Sequence, residues 1–499
     1  MTLPNKKYLI IIFISILVIA AYYYFLANSN SKSLKGIIVE LSDDGFSPPE
    51  LTIKKGETVT FITKRNKPFW PASDIHPIND IYPEFDPKRP IDPDKSWSFT
   101  FDRVGKWKYH DHFNPFHSAA INVITLSQHP LFDIFKKNRN INIDCSHLQN
   151  TKKKQCLEDK IQLTIKVKGL DETFNLLADI YNKDPDFASS CHAYAHLIGR
   201  YAYDFYQKKE QLKISAKTYY CGFGFYHGFM EALGAKGGNI LQAPAFCNYI
   251  DDQLKNITPD AKGACYHGIG HGAADAHGLK VFEDEASMVY PALAICEKIS
   301  PDKILLNRCT SGVFNVLAIA YNGGTQKFSI NQEHPYWFCE RISKEIYKRP
   351  CFEEMNTSVL ILSKFNFATA AAYVYNLKEK TYAYDAMRSL SMRTAQYNIS
   401  QVDHNDNIKV CKSLPIELKK ACIDGYVSGL VENGAPGQEY ILALNFCNNS
   451  LLAATEKDVC YKQGLYALTL VSPKERFKLF CPLIEEKYRL YCETFLRAK

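Results

Sequence analysis

Cys191-His192-Ala-Tyr-Ala-His196-Leu-Ile-Gly199, Cys221-Gly-Phe-Gly224-Phe-Tyr-His227-Gly228-Phe-Met-Glu231 and Cys265-Tyr-His267-Gly268-Ile-Gly-His271-Gly272 are three segments of one stretch, and in each a cysteine is followed closely by histidine. The second and third share Gly-x-x-His-Gly at a separation of 44 residues, and the first and third share His-x-x-x-His, a spacing that puts both imidazoles on one helix face. With a shift of one residue His196, His227 and His271 occupy the same place in consecutive units, and His192 and His267 the place one turn earlier. Glu231 lies one turn beyond His227.

The same register extends along the C-terminal two thirds of the chain. Cys221, Cys265, Cys309, Cys351, Cys422, Cys460 and Cys492 each open a run with helical spacing, at steps of 44, 44, 42, 71, 38 and 32 residues. A period near 40 with two helices per unit predicts an α-helical, solenoid-like repeat over residues 145–499. The long step holds one Cys-free helical insertion. Glycines 224, 268, 312 and 425 recur three residues after the helix-opening cysteine, where a missing side chain lets a neighbouring helix come close.

All sixteen cysteines lie between Cys145 and Cys492, and no Cys-x-x-Cys knuckle is present. The pattern favours disulfides over a zinc array. The expected pairs are Cys145–Cys156, Cys191–Cys221, Cys247–Cys265, Cys296–Cys309, Cys339–Cys351, Cys411–Cys422, Cys447–Cys460 and Cys481–Cys492. Each would contribute roughly 3 kcal/mol by restricting the unfolded chain.

Disulfides imply an oxidising compartment, and the N-terminus agrees. After Asn5-Lys6-Lys7 the run Tyr8–Ala27 carries no charge for 20 residues, enough to span a bilayer. Phe25-Leu26-Ala27 makes a poor cleavage site, so residues 1–27 are expected to be a signal-anchor transmembrane helix with the N-terminus inside and the bulk of the chain outside. Residues 28–35 form a polar linker.

From residue 36 to 126 the pattern changes to period two with turn punctuation, as in Leu51-Thr-Ile-Lys-Lys-Gly56-Glu-Thr-Val-Thr-Phe61 and Gly105-Lys-Trp107-Lys-Tyr109-His110, which predicts an all-β sandwich. The order of these segments, with Gly45-Phe46-Ser-Pro48 before a strand and Asp111-His112-Phe113-Asn114-Pro115 after the last aromatic strand, resembles a cupredoxin-like domain. That resemblance implies a metal loop. It puts Asp111 where blue-copper proteins have a thiolate, Asn114 at the second histidine, His117 at the axial ligand and His76 at the earlier histidine. Without the thiolate, blue-copper electron transfer is not expected. The remaining cluster of His76, His110, Asp111, His112 and His117, with Glu84 nearby, offers only N and O donors. Residues 127–144 read as a basic, Asn-rich linker.

At 499 residues the chain needs more than one core. Its net charge of +7 is spread as mixed Lys/Glu stretches rather than a basic stripe, so nucleic acid is not expected as a partner. There is no Gly-x-Ser-x-Gly, His-Glu-x-x-His or phosphate-cradling glycine loop, so any chemistry would be metal-borne. The expected ligands in the helical domain are His192, His196, His227, Glu231, His267 and His271, suited to copper, iron or zinc. Later units carry Asn315, Thr357 and Ser428 at the matching offset, which confines the site to the first three units. The combination looks like periplasmic iron-uptake proteins that join a cupredoxin-like domain to an imelysin-type helical one, but the His-x-x-Glu motif of that type is absent, so transport is not carried over. Two other readings stay open: a non-enzymatic scaffold or adhesion protein that binds a protein partner on its helical array, and a metal-dependent oxidoreductase or hydrolase with Glu231 as general base.

Overall fold

Alternating burial along the strands builds the first domain: in Thr58–Thr63, Val59, Phe61 and Thr63 point inward while the residues between them face outward. In the computed structural model the described residues are 37–74, 76, 79, 81–124, 143–207, 213–236, 238–276, 284–322, 329–401, 403–471 and 476–497. The expected anchor, both its flanking linker and most of the second linker lie outside them.

Among the described residues eight strands form two four-stranded sheets. They are β1 (Ile37–Ser42), β2 (Gly45–Ser47), β3 (Glu50–Lys54), β4 (Thr58–Thr63), β5 (Pro71–Ser73), β6 (Trp97–Thr100), β7 (Gly105–Asp111) and β8 (Asn114–Ile124). The sheet orders are β2-β1-β4-β6 and β3-β8-β7-β5, with parallel β1/β4 and β3/β8 pairs. Phe61, Phe85, Tyr109, Tyr82 and Trp107 fill the space between the sheets, with ring centroids about 5 Å apart. Strand β5 has no signal in the sequence because it is only three residues long and opens on Pro71, which is tolerated at a sheet edge.

The rest is helical. The elements used below are α1 (Asn150–Lys168), α2 (Leu170–Lys183), α3 (Cys191–Gln207), α4 (Gly224–Ala235), α5 (Ala243–Leu254), α6 (Ala261–Ala276), α7 (Glu285–Ile299), α8 (Lys303–Asn322), α9 (Trp337–Glu340), α10 (Glu345–Glu354), α11 (Asn356–Leu362), α12 (Phe367–Tyr375), α13 (Ala383–Tyr397), α14 (Asn405–Ser413), α15 (Ile416–Asn433), α16 (Tyr440–Cys447) and α17 (Ala454–Val471). The cysteines stand in the eight sequence-neighbour pairs named above, with Cα–Cα distances of 5.5–5.8 Å. Five of them tie an outer helix to the inner helix that follows: α5 to α6, α7 to α8, α9 to α10, α14 to α15 and α16 to α17. The Cys-free unit is α12 followed by α13. Among the described residues α8 is the one helix long and apolar enough to cross a membrane, and it is an inner helix packed between α6 and α10.

The recurring glycines mark where inner helices touch. A Cβ on Gly228 would stand 2.0 Å from the His196 carbonyl oxygen, and one on Gly312 would stand 1.9 Å from that of His267. Backbones this close carry their side chains to a common place.

An open solenoid is not what forms. The Tyr181 hydroxyl on α2 donates to the Asn433 carbonyl at the end of α15 (2.8 Å), and Arg476, beyond α17, donates to the Tyr219 hydroxyl just before α4 (3.0 Å). First and last units meet, so the inner helices α3, α4, α6, α8, α10, α13, α15 and α17 surround a central cavity of about 950 Å³. Repeat period alone does not fix superhelical curvature, which depends on the rotation between units.

Candidate metal centre

Segment Tyr219–Phe223 sets up the first part of the site. Cys221 and Phe223 both adopt left-handed backbone (φ 58° and 59°) on either side of Gly222 (φ 69°), a strained run for side-chain-bearing residues. The turn aims the Cys221 carbonyl at His192 Nδ1, 2.8 Å away. With that N–H donated, the His192 Nε2 lone pair faces His196 Nε2 at 3.2 Å.

One helical turn on, His196 Nδ1 meets Glu231 Oε2 at 3.4 Å, and its Nε2 lies 3.1 Å from His227 Nδ1. The rings of His192, His196 and His227 form a near-equilateral triangle with centroids 4.9–5.2 Å apart. Ring nitrogens about 3 Å apart are what ligands on one ion at about 2 Å bonds require.

His271 donates Nδ1–H to the other Glu231 oxygen, Oε1, at 3.1 Å. Its Nε2 is buried and bonded to nothing. His267 Nδ1 meets Ser311 Oγ at 3.2 Å, and that hydroxyl in turn donates to Glu354 Oε1 at 2.5 Å, which leaves it free to accept from His267. Rings 227, 267 and 271 form a second triangle, with centroids 4.5–5.2 Å apart. Each triangle could hold a metal ion.

Burial governs the charge states. It pushes the His192 imidazole down to about 3, with the His196 charge adding to the effect, and it holds His227 and His267 well below their ordinary range, where His271 also opposes a charge. Burial also opposes charge on Glu231, but His196 and His271 outweigh it and keep the carboxyl well below the usual carboxylate range. Neutral imidazoles at His192, His227 and His267 beside an ionised Glu231 are protonation states that suit a divalent ion.

The sandwich contributes a separate group. His76 Nδ1 lies 3.3 Å from His110 Nε2, and His110 Nδ1 contacts Asp74 Oδ1 at 2.6 Å. His112 completes the group, its ring 4.6 Å from that of His76. Burial lowers His76 well below and His112 to about 3. Strand β8 packs on α4, and the Glu231 charge acts on both His76 and His112, so this group lies within electrostatic reach of the helical one. Beside it, Lys108 of β7 reaches Glu158 and Asp159 of α1 at 3.3 and 2.7 Å.

Asp111 and His117 stand apart from the histidine groups, and Glu231 and Glu84 are engaged by other side chains. Asp111 is bound to Arg65 at 2.7 Å and accepts the Trp70 backbone N–H at 2.9 Å, so it ties the metal-loop region to the sheet instead of joining the three histidines. His117 pairs with Asn114 at 3.3 Å, outside the group. Glu231 grips two ligand rings from behind rather than pointing a free carboxylate at an ion. Glu84, at the rim, is taken by Arg103.

The residues the sequence reading missed are the holders: Asp74, the Cys221 carbonyl, Ser311 and Glu354. Ser311 had a signal. It lies 44 residues after His267, the same step that relates His227 to His271, so the register extended by one unit puts its hydroxyl beside that imidazole.

No family model matches this chain, and no curated protein does. Among solved structures, a mutant of amicyanin in its oxidised state is 25% identical over 18% of this chain and 82% of its own, with a TM-score of 0.16. A reduced-state amicyanin mutant is 25% identical over 19% and 87%, with a TM-score of 0.17. A purple cupredoxin from Nitrosopumilus maritimus is 21% identical over 18% and 99%, with a TM-score of 0.16.

Proposed function

We propose that this chain is a membrane-anchored extracytoplasmic protein that binds a transition metal, copper, iron or zinc, through the histidines of its helical domain, with the sandwich histidines as an accessory site. One observation carries the reading. His192, His196, His267 and His271 each spend Nδ1–H on a fixed acceptor outside the ring cluster, the Cys221 carbonyl, Glu231, Ser311 and Glu231. Lone pairs directed at one another in a buried space are costly unless something positive sits between them. An all-imidazole donor set suits zinc, copper and iron alike. The disulfides support an oxidising compartment, and the uncharged run Tyr8–Ala27 is what supports an anchor in its membrane. The central cavity, reached by His192, His227 and His267, supplies a place for a small molecule or a partner segment next to the ion.

The test is elemental analysis of the full chain purified in detergent after oxidative folding. Stoichiometric metal that is lost when His196, His227 and His271 are all changed to Ala supports binding. A metal-free chain that stays stable and takes up none of the three metals sinks the reading and favours the scaffold.

A further inference from the structure

The five helical histidines do not meet at one point. Their ring nitrogens fall into two groups of three, His192/His196/His227 and His227/His267/His271. Across the divide the His196 and His271 centroids are 6.2 Å apart, against 4.5–5.2 Å within each triangle. One ion with bonds of about 2.0–2.1 Å cannot span nitrogens more than about 4.2 Å apart, and among the described residues no group with ligand atoms within even 4.8 Å of one another takes in both outer pairs, so one ion cannot use both as they stand.

Glu231 repeats the division. One carboxylate oxygen holds His196 of the first group and the other holds His271 of the second. Among the described residues His227 alone of the five has no carbonyl, hydroxyl or carboxylate on either ring nitrogen; its recorded partner is His196 Nε2. The four outer rings thus have one nitrogen each for a metal, and the shared ring has two.

We propose that the helical site is dinuclear, with His227 bridging two divalent first-row ions as an imidazolate, His192 and His196 completing one ion and His267 and His271 the other. The proposal rests on the metal-binding reading above. A neutral imidazole has one lone pair, so seating the second ion breaks the remaining His227 N–H bond, and the proton leaves to water. The bridge then carries one negative charge between two ions, and Glu231 supplies another at their back. His192, His227 and His267, drawn from both groups, line the central cavity, so a molecule in it stands beside ligands of both ions. An exogenous ligand entering the cavity meets two ions at once.

Copper(II) is the probe, used on the full chain with His76→Ala and His110→Ala so that the sandwich group does not contribute. Two coppers per chain are expected, with an electron paramagnetic resonance signal well under half that of two isolated ions, because an imidazolate couples the two spins antiferromagnetically. His192→Ala and His267→Ala, made separately, should each retain one copper and recover the full signal of a single ion, which keeps the test open even where His227→Ala does not fold. One copper in the parent chain, or two with undiminished signal, overturns the bridge while leaving metal binding in place. No copper retained by the parent overturns the metal-binding reading itself.

Discussion

Glu231 is a buried carboxylate with two imidazole N–H groups on it, and its value lies in fixing which nitrogen of each ring is free. Glu231→Gln keeps the volume but replaces one acceptor oxygen with a donor, so one of the two rings loses its partner. The expected result is a fall in metal affinity of about 10- to 100-fold, read by competition with a chelator. Protons act on the same rings with a definite sign. His192 and His112 titrate at about 3 in the fold because burial disfavours their charged forms, whereas in the unfolded chain they titrate near 6.5. Below that value the unfolded state takes up protons that the fold does not, so their contribution is complete above about pH 6.5 and falls away as pH drops toward 3. Melting of the metal-free chain at pH 7 and pH 5 checks this: the midpoint should fall at the lower pH, and an unchanged or raised midpoint contradicts it.

At the level of helices, the site depends on how closely α3, α4, α6 and α8 can stack. Gly228 allows α4 to touch α3 at His196, and Gly425 plays the same part where α15 meets α13, its Cβ falling 1.9 Å from the Arg388 carbonyl oxygen. Gly228→Ala and Gly425→Ala should each destabilise the fold by about 1–3 kcal/mol through overpacking. Only the first should also weaken metal binding, because it moves His196 away from His227 while the second acts on units that carry none of the ligand histidines. Denaturant unfolding and metal titration of the two variants side by side separate packing from coordination, and equal metal affinity in both would show that the α3–α4 contact does not set the ligand geometry.

For the molecule as a whole, closure decides what the inner helices enclose. Arg476 joins the C-terminal region to the start of the array through Tyr219 and reaches Glu439 at 3.4 Å, a carboxylate that is 3% exposed. Arg476→Ala removes the cation that Glu439 reaches and leaves a buried carboxylate with only neutral partners, the Gly437 N–H, its own backbone N–H and the Tyr219 hydroxyl, at an expected cost of about 3 kcal/mol. It also loosens the seam beside the cavity, so a chelator should strip the metal faster from the variant. A stripping rate equal to the parent's would mean that the seam is not part of the route to the ion.

Much was legible without coordinates because it is written in local or periodic terms. The step of 44 residues equated His227 with His271, nearest-neighbour cysteine spacing gave the pairs that the structure places together, and alternation gave the sandwich, since burial on one side of a strand or helix imposes its period on the side chains. Other features depend on which backbones approach, and no period encodes that. Asp111 sits between two histidines in sequence yet is captured by Arg65, 46 positions away, because a buried carboxylate goes to the nearest guanidinium. His227 belongs to two groups only because α4 lies between α3 and α6, and the array closes only because small rotations between units accumulate to a full turn. Sequence determined the units, their staples and the kind of donor each presents; tertiary structure decided which donors share a space, because that depends on distances between helices that the chain sets through packing as a whole.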